Sequence, residues 1–260
     1  MKRTNLKSEA KKPLVFDVGM YDGSDTQYYL ESGYRVVAVE ANPNLANAAR
    51  QRFAGEVASG TLTVVNAAIA EGEDEVELTI CGEDLGSSST IGSMVVDRIP
   101  MGSYKVPAIG FGKLVEQFGV PDYLKIDIEG ADGICVKGIS AENRPPLLSF
   151  EVGDDFSTLL DHLSAVGYTE FKLINQLSFR ESSREGLLGD RIRRKIMRMM
   201  GYSQPGFLKV RGRNFRVAHS SGPGPWASDG DWVEKSVIGE KWKQVVARGK
   251  IGNWYDLHAK

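Results

Sequence analysis

Short apolar runs alternate with helix-like stretches along most of the chain from residue 14 onward. The apolar runs predict strands at residues 14–18, 34–40, 61–69, 123–128, 147–152 and 168–174, with 215–218 as the last strand. The stretches between them predict helices at residues 24–32, 43–53, 112–118, 131–139 and 157–166. Nearly continuous apolar strands that alternate with helices indicate a parallel sheet covered by helices on both faces. We therefore expect an α/β protein with a doubly wound, mostly parallel, seven-stranded Rossmann-like sheet.

Several segments flank or interrupt this alternation. Residues 82–110 are a long Gly/Ser-rich connection, and residues 180–213 are an Arg-rich insertion. Loops of such length in compact domains are usually functional. We expect a flexible N-terminal segment at 1–12, the main domain at 13–219, and a linker with a C-terminal helical tail, packed on that domain, at 220–260.

Composition narrows the class of protein. The 260 residues include 32 basic and 34 acidic side chains, a net charge of −2 that argues against a generally cationic nucleic-acid binder. The two cysteines form no CxxC motif, which excludes zinc-finger and thioredoxin chemistry. The charged N-terminus lacks a following apolar stretch, and no apolar run approaches the roughly 18 residues of a membrane-spanning helix. We expect a soluble, cytoplasmic protein, with a dimer as one option for its oligomeric state.

The loop after the first strand carries candidate binding residues. Gly19 and Gly23 let the backbone turn tightly and approach a ligand closely, and Tyr21 lies between them. The following helix offers unpaired N–H groups at its start. Asp17 would repel a phosphate at this strand end but would attract an ammonium or sulfonium group. The spacing D-x-G-x-x-x-G does not meet the dinucleotide fingerprint G-x-G-x-x-G.

Glu40 strengthens this interpretation because it ends the second predicted strand, where an acidic side chain accepts hydrogen bonds from the hydroxyls of a ribose. Together, Asp17 and Glu40 favour a ligand that contains adenosine.

A third motif alternates Lys125, Asp127 and Glu129 at the end of a predicted buried strand, where all three project from one side. Burying these charges is costly unless they pair or bind something. Glu151 ends the next predicted strand, beside Asp127. These two carboxylates could hold one Mg²⁺, or one of them could be a general base whose pKa the other raises. His219 follows the predicted last strand and is a second candidate base.

Five motifs in this order, DVGMYDGSDT (17–26), VVAVEANP (36–43), VNAAI (65–69), LKIDIEGAD (124–132) and LLSFEVG (147–153), resemble the FkbM-type methyltransferases. The resemblance covers about residues 13–175, with KIDIEG as its most specific part. It departs at Asp132, where Glu is common, and in the 180–213 insertion. Members are class I S-adenosylmethionine-dependent enzymes, and most of them methylate hydroxyl groups of sugars or polyketides. The resemblance therefore implies an O-methyltransferase for a sugar or natural-product acceptor.

The resemblance also implies roles for individual residues. Asp17 and Gly19 would hold the methionine part of S-adenosylmethionine, with Tyr21 and Gly23 in the same turn, and Glu40 would hold the ribose. Ala41 and Asn42 would line the cofactor edge, and Asn66 and Ala67 would lie near adenine. Asp127 would face the cofactor amine and the reacting methyl group.

The segment 184–198 contains six basic and two acidic residues, and its apolar positions recur at helical spacing. It is either a helix docked on the sheet or a lid for an anionic acceptor, such as a nucleotide-linked or lipid-linked sugar, with contact to a membrane surface as a further option. A nicotinamide-dependent oxidoreductase or epimerase remains an alternative function, although the third glycine of its fingerprint is missing. A non-catalytic binding protein on the same fold is another.

Overall fold

The computed structural model describes residues 12–81, 88–89, 100–128, 130–182, 207–217, 220–247 and 254–260. The strands are β1 (Leu14–Val18), β2 (Arg35–Val39), β3 (Leu62–Val65), β4 (Ala68–Ile69), β5 (Glu75–Cys81), β6 (Ser88–Ser89), β7 (Pro100–Ile109), β8 (Tyr123–Ile126), β9 (Leu147–Glu151), β10 (Phe171–Asn175), β11 (Phe207–Val210), β12 (Arg213–Arg216) and β13 (Tyr255–Ala259). The helices are α1 (Ser24–Glu31), α2 (Pro43–Arg52), α3 (Ala54–Ala58), α4 (Phe111–Phe118), α5 (Asp132–Lys137), α6 (Phe156–Ala165) and α7 (Lys235–Ala247).

Seven strands form the main sheet in the order β10-β13-β9-β8-β1-β2-β3. All of its pairings are parallel except those of β13, which runs antiparallel to both β9 and β10. The chain starts at β1, moves outward to β3 and returns to pair β8 with the other side of β1, so the strand order reverses there. Ligands bind at such a reversal, beyond the carboxyl ends of the strands. The predicted doubly wound, mostly parallel, seven-stranded sheet is confirmed.

The identity of the seventh strand differs from the sequence prediction. Phe215 and Arg216 of the predicted last strand do lie in a strand, β12, but among the described residues it pairs with β11 in a separate hairpin and not with the main sheet. The seventh strand is β13, and it lies inside the sheet between β9 and β10. A strand from the segment predicted as a C-terminal tail thus belongs to the main sheet. The sequence YDLHA does not indicate a buried strand because Asp256 and His258 are polar. In the structure all five residues of this strand are buried.

The C-terminal segment contains the predicted helix, but its start is not an exposed linker. Residues 220–225 are buried despite their Ser, Gly and Pro composition. The ring of Trp226 packs edge-on against that of Tyr123, with the ring centroids 5.1 Å apart. The ring of Phe179 occupies the space where a side chain on Gly222 would lie. The ring of Trp242, on helix α7, stacks on that of Phe156, with the ring centroids 4.9 Å apart. None of the helices within the described ranges is long and apolar enough to cross a membrane.

The two faces of the main sheet differ in character. One face carries apolar rows, such as the in-register residues Val18, Ile126, Phe150 and Leu257, which belong to the main hydrophobic core. The opposite face carries a buried polar row of four residues in register on β1, β8, β9 and β13, namely Asp17, Lys125, Ser149 and His258. Buried polar side chains are costly unless they are paired, so this face is the place to look for function.

A second, four-stranded sheet has the order β4-β7-β5-β6. The predicted strand 61–69 splits into β3, in the main sheet, and β4, which pairs with β7. Of the predicted long connection 82–110, the described residues form β6 and β7 and lead to α4. This sheet packs against Ala41, and the Nδ2 group of Asn44 donates to the hydroxyl of Tyr104 at 3.1 Å. It thus flanks the end of β2.

Candidate functional site

The turn after β1 depends on its two glycines. Gly19 has a φ of +81°, and a Cβ atom there would lie 1.8 Å from the carbonyl oxygen of Asp127. Gly23 has a φ of +76°, and a Cβ atom there would lie 2.8 Å from the ring of Phe53. Left-handed backbone and close approach both favour glycine. The turn is therefore pressed against the segment that carries Asp127.

Glu40, directly after β2, connects this turn to the next loop. Its Oε2 atom accepts a hydrogen bond from the backbone N–H of Tyr21 at 2.9 Å, and its Oε1 atom accepts one from that of Asn42 at 2.8 Å. The side chain is buried, and this burial raises its pKa to about 7. Tyr21 has a φ of +48°, a conformation rare outside glycine, which the hydrogen bond to Glu40 helps to hold. Each carboxylate oxygen has a further lone pair that can accept from a ligand hydroxyl.

The other residues predicted at the cofactor edge have partners within the chain. Asn42 is fully buried, and its Oδ1 atom caps α2. The Nδ2 group of Asn66 donates to the carbonyl oxygens of Glu40 at 2.8 Å and of Ala41 at 3.0 Å. Ala67 belongs to the main core. These residues fix the loops around Glu40, and their contact with a cofactor stays a prediction.

Asp17 is enclosed by its own chain in this structure, and its predicted contact with a cofactor stays a prediction. Its side chain is fully buried, and its Oδ2 atom accepts a hydrogen bond from the hydroxyl of Thr26 at 2.6 Å. The Nζ atom of Lys125 lies 3.3 Å from Asp17 Oδ1 and donates to the carbonyl oxygen of Gly19 at 2.9 Å. The cation that Asp17 meets thus comes from its own chain.

Lys125 also lies near two further carboxylates. Its Nζ atom is 3.7 Å from Asp127 Oδ2 and 4.0 Å from Asp25 Oδ2. Burial would lower the pKa of Lys125, but Asp17, Asp127 and Asp25 outweigh that effect and raise it. One ammonium thus faces three carboxyl groups. Only Asp127 among these is partly open, with 29% of its side chain exposed.

Asp25, in the first turn of α1, is a residue of the site that the sequence does not predict. Its carboxylate accepts hydrogen bonds from the hydroxyl of Ser220 and from the backbone N–H of Ser221, the latter at 3.0 Å. Burial raises its pKa to about 7, although Lys125 opposes that shift. Asp25 therefore ties the C-terminal segment to the start of α1, directly after the turn that follows β1. An acid in the first turn of a helix is common, so its spacing gave no signal.

Asp127 and Glu151 lie on neighbouring strand ends, as predicted. Asp127 follows Ile126, which pairs with Phe150, and Glu151 follows Phe150. Directly opposite Glu151 lies Asp256, a residue that the sequence analysis assigned to the tail. Within the described ranges, no group of three or more His, Cys, Asp or Glu residues is arranged to hold a metal ion. The arrangement of these side chains therefore does not support the Mg²⁺ alternative.

The loop after Asp127 is fixed by Asp132, whose carboxylate accepts from the backbone N–H groups of Ile128 at 3.3 Å and Gly130 at 3.2 Å. Burial raises the pKa of Asp132 to about 7, and the charge of Asp127 adds to that shift. Among the predicted residues of this part of the site, Glu129 and the candidate base His219 lie outside the described residues, as does the basic segment 184–198.

His258 has a position that the sequence analysis did not foresee. It is buried in β13, and its Nδ1 atom lies 3.3 Å from the hydroxyl of Ser228. Burial, and then the charge of Lys172, lowers its pKa to about 3, so the ring is neutral near neutral pH. This histidine is part of the sheet interior.

The sheet order is that of the class I methyltransferase fold, and the candidate site lies at the reversal of strand order. Residues 17–170, more than half of the chain, match the profile of the family described as the Methyltransferase FkbM domain. The chain belongs to this family, which confirms the resemblance seen in its motifs. A search of curated proteins finds no match.

Several solved structures are similar at low identity. The precorrin-6y C5,15-methyltransferase of Geobacter metallireducens is 15% identical over 63% of this chain and 66% of its own, with a TM-score of 0.37. The 1,6-didemethyltoxoflavin-N1-methyltransferase of Burkholderia thailandensis, solved with S-adenosylhomocysteine, is 16% identical over 62% of each chain, with a TM-score of 0.32. A putative sarcosine dimethylglycine methyltransferase of Galdieria sulphuraria is 8% identical over 96% of this chain and 79% of its own, with a TM-score of 0.43. This chain spans just under two thirds of the length of the Geobacter protein.

Proposed function

We propose that the protein is an S-adenosylmethionine-dependent O-methyltransferase that methylates a hydroxyl group of a sugar or natural-product acceptor. The observation that carries the proposal is the carboxylate of Glu40, at the end of β2 and beside the reversal of strand order. The N–H groups of Tyr21 and Asn42 hold it in one orientation. An acid at this position accepts hydrogen bonds from both hydroxyls of an adenosine ribose.

The charge of the site supports the same cofactor. S-Adenosylmethionine brings an ammonium and a sulfonium group, whereas a dinucleotide brings phosphates. The ammonium of Lys125 is outnumbered by the carboxyl groups of Asp17, Asp25 and Asp127, so the site is anionic when these are ionised. An anionic site attracts the cationic cofactor and repels phosphates.

The chemistry requires little beyond alignment and removal of one proton. The bound cofactor supplies an electrophilic methyl group. The chain orients the acceptor hydroxyl toward it, and such alignment can supply much of the acceleration. Asp127, the most open carboxylate around Lys125, is suited to accept the hydroxyl proton as a general base. The backbone carbonyl of Asp127 packs closely against Gly19, and the N–H of the next residue, Ile128, donates to the carboxylate of Asp132. These contacts hold the backbone at Asp127 in place.

The basic segment 184–198 supports an anionic acceptor, such as a nucleotide-linked or lipid-linked sugar. The described residues before it follow the carboxyl end of β10, where Glu181 bridges to Ile174. The β11–β12 hairpin after it contacts the turn that follows β1, where Arg216 Nη1 lies 3.0 Å from Asp22 Oδ2 in an ion pair. Both flanks therefore lie at the edge of the sheet where an acceptor would enter, and the six basic residues of the segment favour an anionic acceptor.

Calorimetric titration with S-adenosylhomocysteine and with NADH tests the cofactor, and transfer of labelled methyl groups to a panel of free, nucleotide-linked and lipid-linked sugars tests the reaction. We expect S-adenosylhomocysteine to bind and at least one hydroxyl acceptor to be methylated. Asp127→Asn should lower turnover far more than cofactor affinity, whereas Asp161→Asn, on an exposed part of α6, should change neither. Binding of NADH alone would favour the oxidoreductase alternative, and cofactor binding without transfer to any acceptor would favour a binding protein.

A further inference from the structure

Three carboxyl groups lie side by side across β8, β9 and β13, and we call Asp127, Glu151 and Asp256 the carboxylate row. Glu151 and Asp256 are direct partners in the sheet, and Asp127 occupies the next position along β8 after the Ile126–Phe150 pair. Partners in register point to the same face of a sheet. The row therefore runs from Asp127, which is partly open, to Asp256, which is only 1% exposed.

Asp256 is the buried end of this row. Its Oδ1 atom accepts a hydrogen bond from the Nε2 group of Gln176 at 2.7 Å. Its Oδ2 atom is also buried and has no hydrogen-bond partner among the described residues. A buried oxygen without a donor is costly as part of a carboxylate but can carry the proton of a carboxyl group.

The charged groups around Asp256 come from several elements. Asp127 and Lys125 face it from the end of β8, Asp25 faces it from α1, and Glu151 lies opposite on β9. His258, on β13 itself, is neutral. Burial, and then the charge of Asp127, raises the pKa of Asp256 to about 8, while Gln176 and Lys125 oppose the shift. Neighbouring acids that share a site hold protons as a group.

The proposed reaction changes the charge at this site by one unit. The acceptor oxygen forms a bond to the methyl carbon, and the electron pair of the carbon–sulfur bond goes to sulfur. The sulfonium thereby becomes a neutral thioether. The acceptor O–H bond breaks, and its proton needs a base. If that proton stays in the site, it replaces the positive charge that the sulfur has lost.

We propose that the carboxylate row retains the proton that methyl transfer releases, with Asp127 receiving it and Asp256 acting as the positioning residue that sets how tightly the row holds it. This inference rests on the proposed function. The row therefore holds one proton more when the neutral thioether is bound than when the sulfonium is bound. The total charge of the buried site then stays constant through the reaction, which avoids an uncompensated charge in a region of low polarity.

Binding calorimetry tests this without an acceptor. S-Adenosylmethionine and S-adenosylhomocysteine differ at the sulfur by one methyl group and one charge. Each is titrated into the full-length protein in two buffers of different ionisation enthalpy, at a pH between the values of about 7 and about 8 that apply to Asp25 and Asp256. We expect binding of S-adenosylmethionine to leave fewer protons on the protein than binding of S-adenosylhomocysteine, by a difference that approaches about one.

Asp256→Asn tests the role of the buried end. Asparagine keeps the shape and an oxygen that can accept from Gln176, but it cannot ionise. We expect this variant to bind both ligands and to lose at least half of the difference in bound protons. Asp161→Asn, whose exposed carboxylate lies on α6, should keep the wild-type difference. A merely structural role of Asp256 would change affinities or stability without changing the difference in protons.

Three results would contradict the inference, and they can be told apart. Equal proton numbers for the two ligands in the wild-type protein would show that the row does not retain a proton. An unchanged difference in Asp256→Asn would remove Asp256 from that role. Failure of the wild-type protein to bind either ligand would contradict the proposed function itself, and the inference with it. If Asp256→Asn does not fold, the wild-type comparison of the two ligands still decides whether a proton is retained.

Discussion

The ammonium of Lys125 lies 3.3 Å from the carboxylate of Asp17, where β1 and β8 are in register, and neither side chain is more than 3% exposed. This pair joins the two most informative motifs of the sequence, the turn after the first strand and the KIDIEG strand. It gives Asp17 a cation from its own chain, and contact of Asp17 with a cofactor stays a prediction. It also explains how a carboxylate can be fully buried at a strand end, since a buried charge requires a partner.

Replacing Lys125 with Met should destabilise the protein strongly, because the methionine fills similar space but leaves Asp17 without its cation. Breaking a buried ion pair from one side costs about 3–5 kcal/mol. Unfolding in urea measures the loss. Lys113→Met, at an exposed position on α4, is the matched control and should change stability by no more than about 0.5 kcal/mol. A loss below about 1 kcal/mol for Lys125→Met would contradict a stabilising role of this ion pair.

Two glycines with similar backbone angles should respond very differently to alanine. Gly19 and Gly33 have φ values of +81° and +90°, but a Cβ atom at Gly33 meets nothing within 4 Å, whereas one at Gly19 would overlap the carbonyl oxygen of Asp127. Gly33→Ala should cost about 1–2 kcal/mol, the strain of a left-handed conformation. Gly19→Ala should cost more and should abolish binding of S-adenosylhomocysteine, because the turn must move away from Asp127. Equal losses of stability with binding retained would contradict the tight packing of this turn.

The order of the first strands and helices could be predicted from the sequence because their apolar runs are nearly continuous and are separated by Gly or capping residues. Asn42-Pro43 illustrates this, since α2 begins at Pro43 with Asn42 as its cap. Glu40 could be placed by the same logic, because the end of a strand is a fixed point in the pattern.

The residues that complete the site could not be predicted, for a physical reason. Asp25, Asp256 and the segment 220–225 are buried through contacts with distant parts of the chain, whereas composition reports only local preference. Ser220 and Ser221 look like linker residues until Asp25 is seen to accept their hydrogen bonds. Asp256 looks like a surface residue until β13 is seen inside the sheet.

Glu40→Ala should weaken binding of S-adenosylhomocysteine by about 1.5–3 kcal/mol, the range for a lost hydrogen bond to a charged group. Calorimetry measures the affinity, and Glu116→Ala, an exposed acid on α4, should leave it unchanged. Because Glu40 also holds the N–H of Tyr21, a thermal melt must show that the variant is folded under the conditions of the titration. An affinity within error of the wild-type value would contradict the ribose assignment.

The stability of the protein without ligand should fall as pH rises from about 4.5 to about 8. Burial raises the pKa of four carboxyl groups from near 4 to about 7 or about 8, namely Asp25, Glu40, Asp132 and Asp256. The folded state therefore binds more protons than the unfolded state in this range, and the stability that this provides at low pH is lost as pH passes through these values. His258 acts in the opposite direction. Its pKa is 6.5 in the unfolded chain and about 3 in the folded protein, so the protein loses stability as pH falls below 6.5.

Four carboxyl groups outweigh the one histidine, so the melting temperature should decline from about pH 4.5 to about pH 8 and level off above that. Thermal melts at constant ionic strength measure the profile. Asp256→Asn should flatten the decline because it removes one of the four groups, and Asp161→Asn should not. A melting temperature that rises steadily from about pH 4.5 to about 8 would show that these carboxyl groups are already ionised in the folded protein over that range.

The basic segment 184–198 allows a test that separates contact with an acceptor from packing on the sheet. If its charges meet an anionic acceptor, reversing Arg193 and Arg194 to Glu should raise the KM for the acceptor found in the panel several-fold and leave the affinity for S-adenosylmethionine unchanged. The effect should shrink as salt is added, because exposed charges are screened over about 8–10 Å at physiological ionic strength. If the segment is instead a helix docked on the sheet, Ile192→Ala and Ile196→Ala should lower the melting temperature, since each buried site costs about 2–5 kcal/mol. A charge reversal that changes neither KM nor its salt dependence would remove the anionic acceptor from the proposal and leave only a packed helix.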